Sequence, residues 1–394
     1  MFDVPKGYRF AAVEAGFKYR NRCDLSLVVS DCPAHAAGVF TTNAFQAAPV
    51  VVSQKTLAGS PVARAILVNA GQANACTGEE GEKRCLATRT MVGTPLGIDP
   101  TEILVASTGV IGDQLPMDRF ERGAKALVDN VGHSSALDMA KAIMTTDTFP
   151  KLVTATVSLE GGTVRLLGMC KGAGMICPNM ATMLGFIVCD ARVDPLWWQQ
   201  TLRTAVDESF NAVTVDGDTS TNDCVLALAN GQSHVEAVSR SDKRLLAAGL
   251  IDLCRELAFR IVQDAEGGTK VLRIRVSGAK SKPQAETVAR VVGHSPLVKT
   301  ALYGQDPNWG RIVAAVGRSG ATFDPNQVSV AIGDTTIFSK GRPVEGDWDS
   351  ILAPVLKRDE IVVSISLGTG RGSYELLASD LTEEYIRINA DYRT

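Results

Sequence analysis

The 394 residues are enough for two domains, and 45% apolar composition with 36 glycines describes a folded, core-forming chain, not a disordered one. The 40 basic and 43 acidic residues leave a net charge of −3, so no basic excess points to nucleic acid or an anionic membrane. No apolar run approaches the roughly 20 residues of a membrane span, and Met1-Phe2-Asp3-Val4-Pro5-Lys6 lacks the pattern of a signal peptide, so a cytoplasmic protein is expected.

Segment 1–110 reads as strands and turns, with short apolar runs at Leu27 to Val29 and Ala65 to Val68. Pro116 to Val128 and Ser134 to Met144 read as helices, the second with Ser134 as N-cap. Leu152 to Leu159 and Val164 to Met169 form a hairpin around Glu160-Gly161-Gly162. A glycine-rich loop, Lys171 to Met180, leads into a strand at Leu184 to Cys189. Asp194-Pro195 opens a helix to about Phe210, and Lys243 to Val262 is a long amphipathic helix. Val271 to Ser277 alternates as a strand and runs into the Ser/Lys/Pro stretch Ser277 to Pro283, where a domain boundary is expected. A helix near Glu286 to Leu302 and strands near Val328 to Ile332, Ile361 to Leu367 and Tyr385 to Ile388 complete the chain. This irregular alternation predicts an α+β fold rather than a doubly wound parallel sheet, with a main domain over 1–276 and a smaller one over 284–394.

Nine cysteines are scattered singly, at 23, 32, 76, 85, 170, 177, 189, 224 and 254. None of the spacings matches a zinc knuckle, so reduced thiols and no structural metal are expected.

The chemistry concentrates in Lys171-Gly172-Ala173-Gly174-Met175-Ile176-Cys177-Pro178-Asn179-Met180-Ala181-Thr182-Met183-Leu184. A loop with two glycines and a proline ends in an apolar strand, with Thr182 at the junction and the small Ala181 before it. A threonine hydroxyl held over the preceding carbonyl can perform an N→O acyl shift, and hydrolysis of the resulting ester frees the threonine amine. That α-amine, with an ordinary pKa of about 7.7–8.0, can serve as base for its own hydroxyl. The plainer alternative is a threonine that merely opens a strand after a glycine-rich turn.

The segment closely resembles the signature of the ornithine acetyltransferase family, also called glutamate N-acetyltransferases, which reads Lys-Gly-Ser-Gly-Met-Ile-Ala-Pro-Asn-Met-Ala-Thr-Met-Leu. Ala173 and Cys177 are small-for-small departures, and Gln72 replaces an expected asparagine. Further blocks that resemble the family run along the chain: Asp24 to Leu27, Ala37 to Asn43, Asn69 to Gly78, Asp216 to Asp223, Asp306 to Arg311 and Ile388 to Thr394.

The resemblance implies a layered α/β/β/α sandwich with a second, smaller α/β domain. It implies autocatalytic cleavage between Ala181 and Thr182, with Thr182 then the acetyl-carrying nucleophile. Thr108 and Gly109, after the apolar run Ile103-Leu104-Val105, match the family's oxyanion donors. Thr148 matches a substrate-contacting threonine, with Thr146 its competing neighbour. Lys171 offers a cation for a substrate carboxylate, and Glu266 a carboxylate for the substrate amine. Asn389 and Thr394 match binding positions in the C-terminal tail. The expected reaction moves an acetyl group from N-acetylornithine to glutamate without metal or organic cofactor, with acetyl-CoA an open second donor. Two copies of each chain are expected to assemble. A self-processing N-terminal-threonine amidohydrolase or aminopeptidase, and a non-catalytic binding protein, are the alternatives. Lys171, Glu266 and the tail favour transfer to an amine over hydrolysis, and intact Thr182, Thr108 and Gly109 argue against loss of catalysis.

Overall fold

The computed structural model describes residues 2–18, 20–177 and 183–391. Ala181, Thr182 and Thr394 therefore lie outside the described residues. The chain divides into two compact units, one built from residues before 212 and from 218–261, the other from 212–217 and the residues after 261.

The first unit starts with strands β1 (Tyr8–Val13) and β2 (Leu25–Phe40). Helix α1 (Ala48–Gly59), strand β3 (Val62–Gln72), helix α2 (Gly78–Leu96) and strand β4 (Ile103–Val110) follow. Next come helices α3 (Met117–Asp129) and α4 (Ala136–Ala142) and strands β5 (Lys151–Leu159), β6 (Gly162–Lys171) and β7 (Leu184–Cys189). After α5 (Pro195–Asp207), the short β8 (Val213–Thr214) joins the sheet of the second unit. Strand β9 (Cys224–Ala229) returns to the first, and α6 (Arg240–Gln263) closes it.

The strands of this unit run β4-β3-β2-β9-β7-β6-β5, with β1 also on β2. The pairing of β2 with β3 shifts register between Val29 and Ala34, and the two halves of β2 serve different partners. The sheet thereby folds over itself. Phe10, Val28, Ile66 and Leu104 of one half pack in the same buried cluster as Met169, Phe186 and Leu226 of the other. Helices α2 and α3 cover the outside of the first half, with Cys85, Val92, Phe120 and Leu127 against Leu27, Leu67 and Val105. On the second half, Gln199 of α5 exchanges two 3.0 Å hydrogen bonds with the Gly38 backbone. Arg260 of α6 donates to the Leu152 carbonyl at 3.1 Å. The result is the expected α/β/β/α sandwich.

The second unit carries β10 (Val271–Ala279), then α7 (Lys282–Gly293), α8 (Pro296–Tyr303) and α9 (Trp309–Gly317). Strands β11 (Ser329–Ile332), β12 (Thr335–Ser339) and β13 (Arg342–Pro343), helix α10 (Trp348–Leu356), strands β14 (Glu360–Ser366) and β15 (Gly372–Ser379) and helix α11 (Glu383–Asp391) follow. Its sheet runs β13-β12-β11-β14-β10-β15-β8. Its core packs Leu272 and Ile274 against Val288, Val292, Val363 and Leu376. Strand β10 pairs on both sides, with β14 and β15. The stretch Ser277 to Pro283 therefore follows an inner strand of this unit, whose longer segment begins at Val262.

Four expectations change. Segment 1–110 holds two helices, α1 and α2, besides its strands. The helix expected over Glu286 to Leu302 is two, because Ser295 caps α8 through the Val298 N–H and Pro296 starts a new first turn. Ser135, not Ser134, caps α4, in a reciprocal capping box with Asp138; the Ser134 hydroxyl accepts the Ala12 N–H instead. Tyr385 to Ile388 is helix, not strand: Glu383 and Glu384 occupy the first turn of α11 and the Thr382 hydroxyl accepts the Tyr385 N–H at 3.3 Å. Among the described residues no helix is long and apolar enough to cross a membrane.

Candidate active site

Thr108 and Gly109 lie at the end of β4, parallel to Ala70 and Gly71 of β3. Gly109 takes φ of +133°, and a Cβ there would fall 2.2 Å from the Gly71 carbonyl carbon, so only glycine fits. Thr108 is buried, and its hydroxyl makes no hydrogen bond among the described residues. The strand end around it is fixed. The Ser107 hydroxyl donates to Asn69 Oδ1 at 2.6 Å, and Asn69 Nδ2 donates to the Gln72 carbonyl at 2.9 Å.

The loop before β9 ties this strand end to both flanks of residues 178–182. Asn222 Nδ2 donates to the Ser107 carbonyl at 2.8 Å and the Ala73 carbonyl at 2.6 Å. Thr219 Oγ1 donates to the Cys177 carbonyl at 3.4 Å, the last described residue before the junction. Asp223 Oδ1 accepts the N–H of Met183, the first described residue after it, at 3.0 Å. Thr41 Oγ1 and Asn43 Nδ2 brace the same loop through the Ser220 and Thr219 carbonyls, at 2.8 and 2.9 Å.

Lys171 ends β6 opposite Leu184 of β7 and is 4% exposed, so it is no solvated surface lysine. Two buried aspartates share its field. Asp147 Oδ1 accepts from Lys151 Nζ and the Gly172 N–H, both at 2.7 Å, and Oδ2 accepts the Thr145 N–H at 2.9 Å. Lys151 is fully buried, with the Phe149 ring centroid 4.9 Å from its ammonium. Burial alone would raise the Asp147 carboxyl, but Lys171, Lys151 and these hydrogen bonds outweigh it and bring the pKa down to about 2. Asp223 goes the other way. Burial pushes its carboxyl well above the usual range, against the opposing pull of the Met183 N–H, Lys171 and Ser220. Its second oxygen, Oδ2, is buried without a hydrogen-bond partner in donor–acceptor geometry. Thr148, next to Asp147, is exposed, and Thr146 is half-buried.

In the second unit, Asn389 Nδ2 donates to Glu266 Oε2 at 2.9 Å and to the Tyr385 carbonyl at 3.0 Å. Gly267 makes this meeting possible: at φ of +65° a Cβ would lie 2.4 Å from the Tyr385 nitrogen, so α11 approaches the turn as closely as backbone allows. The Thr382 hydroxyl donates to the Gly267 carbonyl at 2.7 Å and locks the turn.

Two groups of expected residues thus come together: Thr108, Gly109, Lys171 and the borders of the Thr182 segment in one unit, Glu266 and Asn389 in the other. Sequence reasoning gave no role to Asp147, Asn222 or Asp223. Asn222 and Asp223 stand in the block Asp216 to Asp223, but their partners are far away in sequence. Among the described residues no cysteine is in a disulfide, and burial pushes the Cys85, Cys170 and Cys189 thiols up to about 12, which makes these three inert.

A family model described as the ArgJ family matches residues 9–394. The arginine biosynthesis bifunctional protein ArgJ of Nitratidesulfovibrio vulgaris is 56% identical, over the full length of both chains. The protein of that name from Thermosynechococcus vestitus is 45% identical, over 99% of this chain and 97% of its own. Among solved structures, the arginine biosynthesis bifunctional protein argJ of Bacillus halodurans matches with a TM-score of 0.51 and 37% identity. The match covers 52% of this chain and 98% of that one.

Proposed function

The chain belongs to the ArgJ family, and from that premise we propose that it is a self-processing acetyltransferase of arginine biosynthesis that carries acetyl on Thr182. Thr182 Oγ attacks the Ala181 carbonyl carbon. The new C–O bond replaces the C–N bond, and the hydroxyl proton passes to the nitrogen. Water then opens the ester, leaving an Ala181 carboxylate and a free Thr182 amine. In transfer, the same hydroxyl attacks the acetyl carbonyl of N-acetylornithine, and ornithine leaves as the amine. The amine of glutamate then attacks the acetyl ester and regenerates the hydroxyl. Thr108 and Gly109 donate to the oxyanion in each step.

The observation that carries this reading is the 218–223 loop, which holds Cys177, Met183 and the Thr108 strand end at once. Intramolecular acyl transfer needs held reactants, and this loop holds Cys177 and Met183 on either side of the junction as well as the Thr108 strand end. A solved relative whose single chain matches 52% of this one is in keeping with a precursor divided near its middle.

The charge cluster supports amino-acid substrates. Lys171 places a buried cation at the end of β6, in the field of Asp147 and Asp223. In this reading Lys171 binds the substrate α-carboxylate. Glu266, oriented by Asn389, takes the substrate amine, and Thr148 and Thr394 complete the contacts. Acetyl-CoA serves as a second acetyl donor, in keeping with the bifunctional name of the relatives. No metal or organic cofactor takes part. The two pieces of two precursors assemble in the cytoplasm. Rapid-quench intact-mass measurement after mixing with N-acetylornithine should find one acetyl group on the 182–394 chain. Acetyl lost to water at the same rate with and without glutamate would favour an amidohydrolase instead.

A further inference from the structure

Residues 14–24 link β1 to β2 and, where described, are neither helix nor strand. Their backbone is nevertheless gripped from two sides. Asp24, fully buried, accepts the Ala15 and Gly16 N–H groups on Oδ1 at 2.7 and 3.3 Å and the Phe17 N–H on Oδ2 at 2.7 Å. From the other side Arg119 of α3 donates through Nη1 to the Gly16 and Phe17 carbonyls, at 2.6 and 3.1 Å. Arg119 is exposed and makes no ion pair and no other hydrogen bond among the described residues. The Phe17 ring stacks on Phe120 of the same helix, with centroids 6.0 Å apart, and a Cβ at Gly123 would fall 2.7 Å from Ala15 Cβ. A link between strands usually leaves its backbone groups to water, and burying a carboxylate is costly, so this grip does more than close a turn.

Gly71 of β3 lies against this link. Its φ is +112°, and a Cβ there would fall 3.0 Å from Lys18 Cβ and 3.3 Å from the Lys18 nitrogen. Gly109 is beside Gly71 in the β3–β4 pairing, and a Cβ on Gly109 would fall 2.2 Å from the Gly71 carbonyl carbon. Three backbone segments therefore lie one against the next, from residues 17–18 through Gly71 to Gly109. Neither glycine puts a side chain between them to absorb a shift. Asp24 also reaches β3 directly, its carbonyl accepting the Ala70 N–H at 2.8 Å. Close-packed backbone of this kind transmits a displacement instead of damping it.

We propose that Arg119 and Asp24 are positioning residues for acyl transfer: they hold residues 15–18 as the backing of Gly71 and, through Gly71, fix the aim of the Gly109 N–H. The proposal rests on the reading of Gly109 as an oxyanion donor. Steady-state transfer of acetyl from N-acetylornithine to glutamate by the purified full-length protein tests it, in a double-mutant cycle with Gly109→Ala. Arg119→Met keeps the apolar stem and removes the guanidinium. It should lower kcat about tenfold and leave both KM values within about twofold, the signature of a misplaced donor. Arg119→Lys, whose ammonium has donors for both carbonyls, should recover most of kcat. In the Gly109→Ala background Arg119→Met should cost less than about twofold, because the group it aims is already displaced. Unchanged kcat in Arg119→Met, a loss confined to KM, or the same fold-loss in both backgrounds would make Arg119 a structural tie alone and overturn the proposal. Arg119→Gln, suited to the exposed helix face, carries the same expectations if the methionine variant does not fold. Full kcat in Gly109→Ala would instead overturn the oxyanion reading, and the proposal with it.

Discussion

Lys171 and Glu266 carry matching expected tasks, one charge for each end of an amino-acid substrate, in opposite surroundings. Lys171 is buried among charges that depend on one another, with Lys151, Asp147 and Asp223 all under 10% exposed. Glu266 is half-buried and its partner Asn389 exposed, joined by one hydrogen bond. The difference predicts where a mutation is felt. Buried charges act as a set, so losing one exposes the desolvation cost of the rest. A water-accessible pair loses only its own contact, because solvent replaces the missing partner.

The largest effect should follow Asp147→Ala, which strands the fully buried Lys151 without its carboxylate. Urea unfolding should show a loss of about 3–5 kcal/mol. A loss below about 1 kcal/mol would mean that water reaches the cluster and that the two regions do not differ in kind. Gly109→Ala comes next. The 2.2 Å clash with Gly71 must displace the β4 end, and turnover should fall on the order of 10²–10³ with little change in substrate affinity. A KM change at constant kcat would instead make this strand end a binding element.

The two aspartates sharpen the contrast through pH. The Asp147 pKa is depressed, so its stabilisation is full above the unfolded value of about 3.8 and is lost as pH falls toward about 2. The Asp223 pKa is raised, so its contribution is present below its unfolded pKa and declines as pH rises through its folded one. Urea midpoints against pH should rise from acid and then sag. Asp223→Asn should remove the sag and leave the acid limb; a sag that persists would assign it to another group. The smallest effect belongs to Asn389→Ala. It should raise KM for amino-acid substrates by about 0.5–1.5 kcal/mol in binding terms and leave the melting temperature unchanged.

Local signals in the sequence were enough for much of the fold. Gly161-Gly162 marked the β5–β6 hairpin, and Asp194-Pro195 marked the start of α5, where Asp194 accepts the Trp197 N–H. Helix α1 escaped notice because its apolar residues, Val50 to Val52 among them, do not fall on one face. At Tyr385 to Ile388 alternation imitated a strand, and the cap from Thr382 outweighed it. The candidate site was legible where a backbone position dictates its residue, as at Gly109. It was not legible where a role arises from distant contacts. Nothing near Asp223 in sequence announces that it holds residue 183, and nothing near Lys171 announces that two carboxylates share it.

The most direct test of the account is the intact mass of the purified protein and of Thr182→Ala, each under denaturing conditions. The wild type should give two chains, residues 1–181 and 182–394, and the variant a single uncut chain without transferase activity. A single full-length wild-type chain that still transfers acetyl, or a variant that is still cut before residue 182, would contradict it.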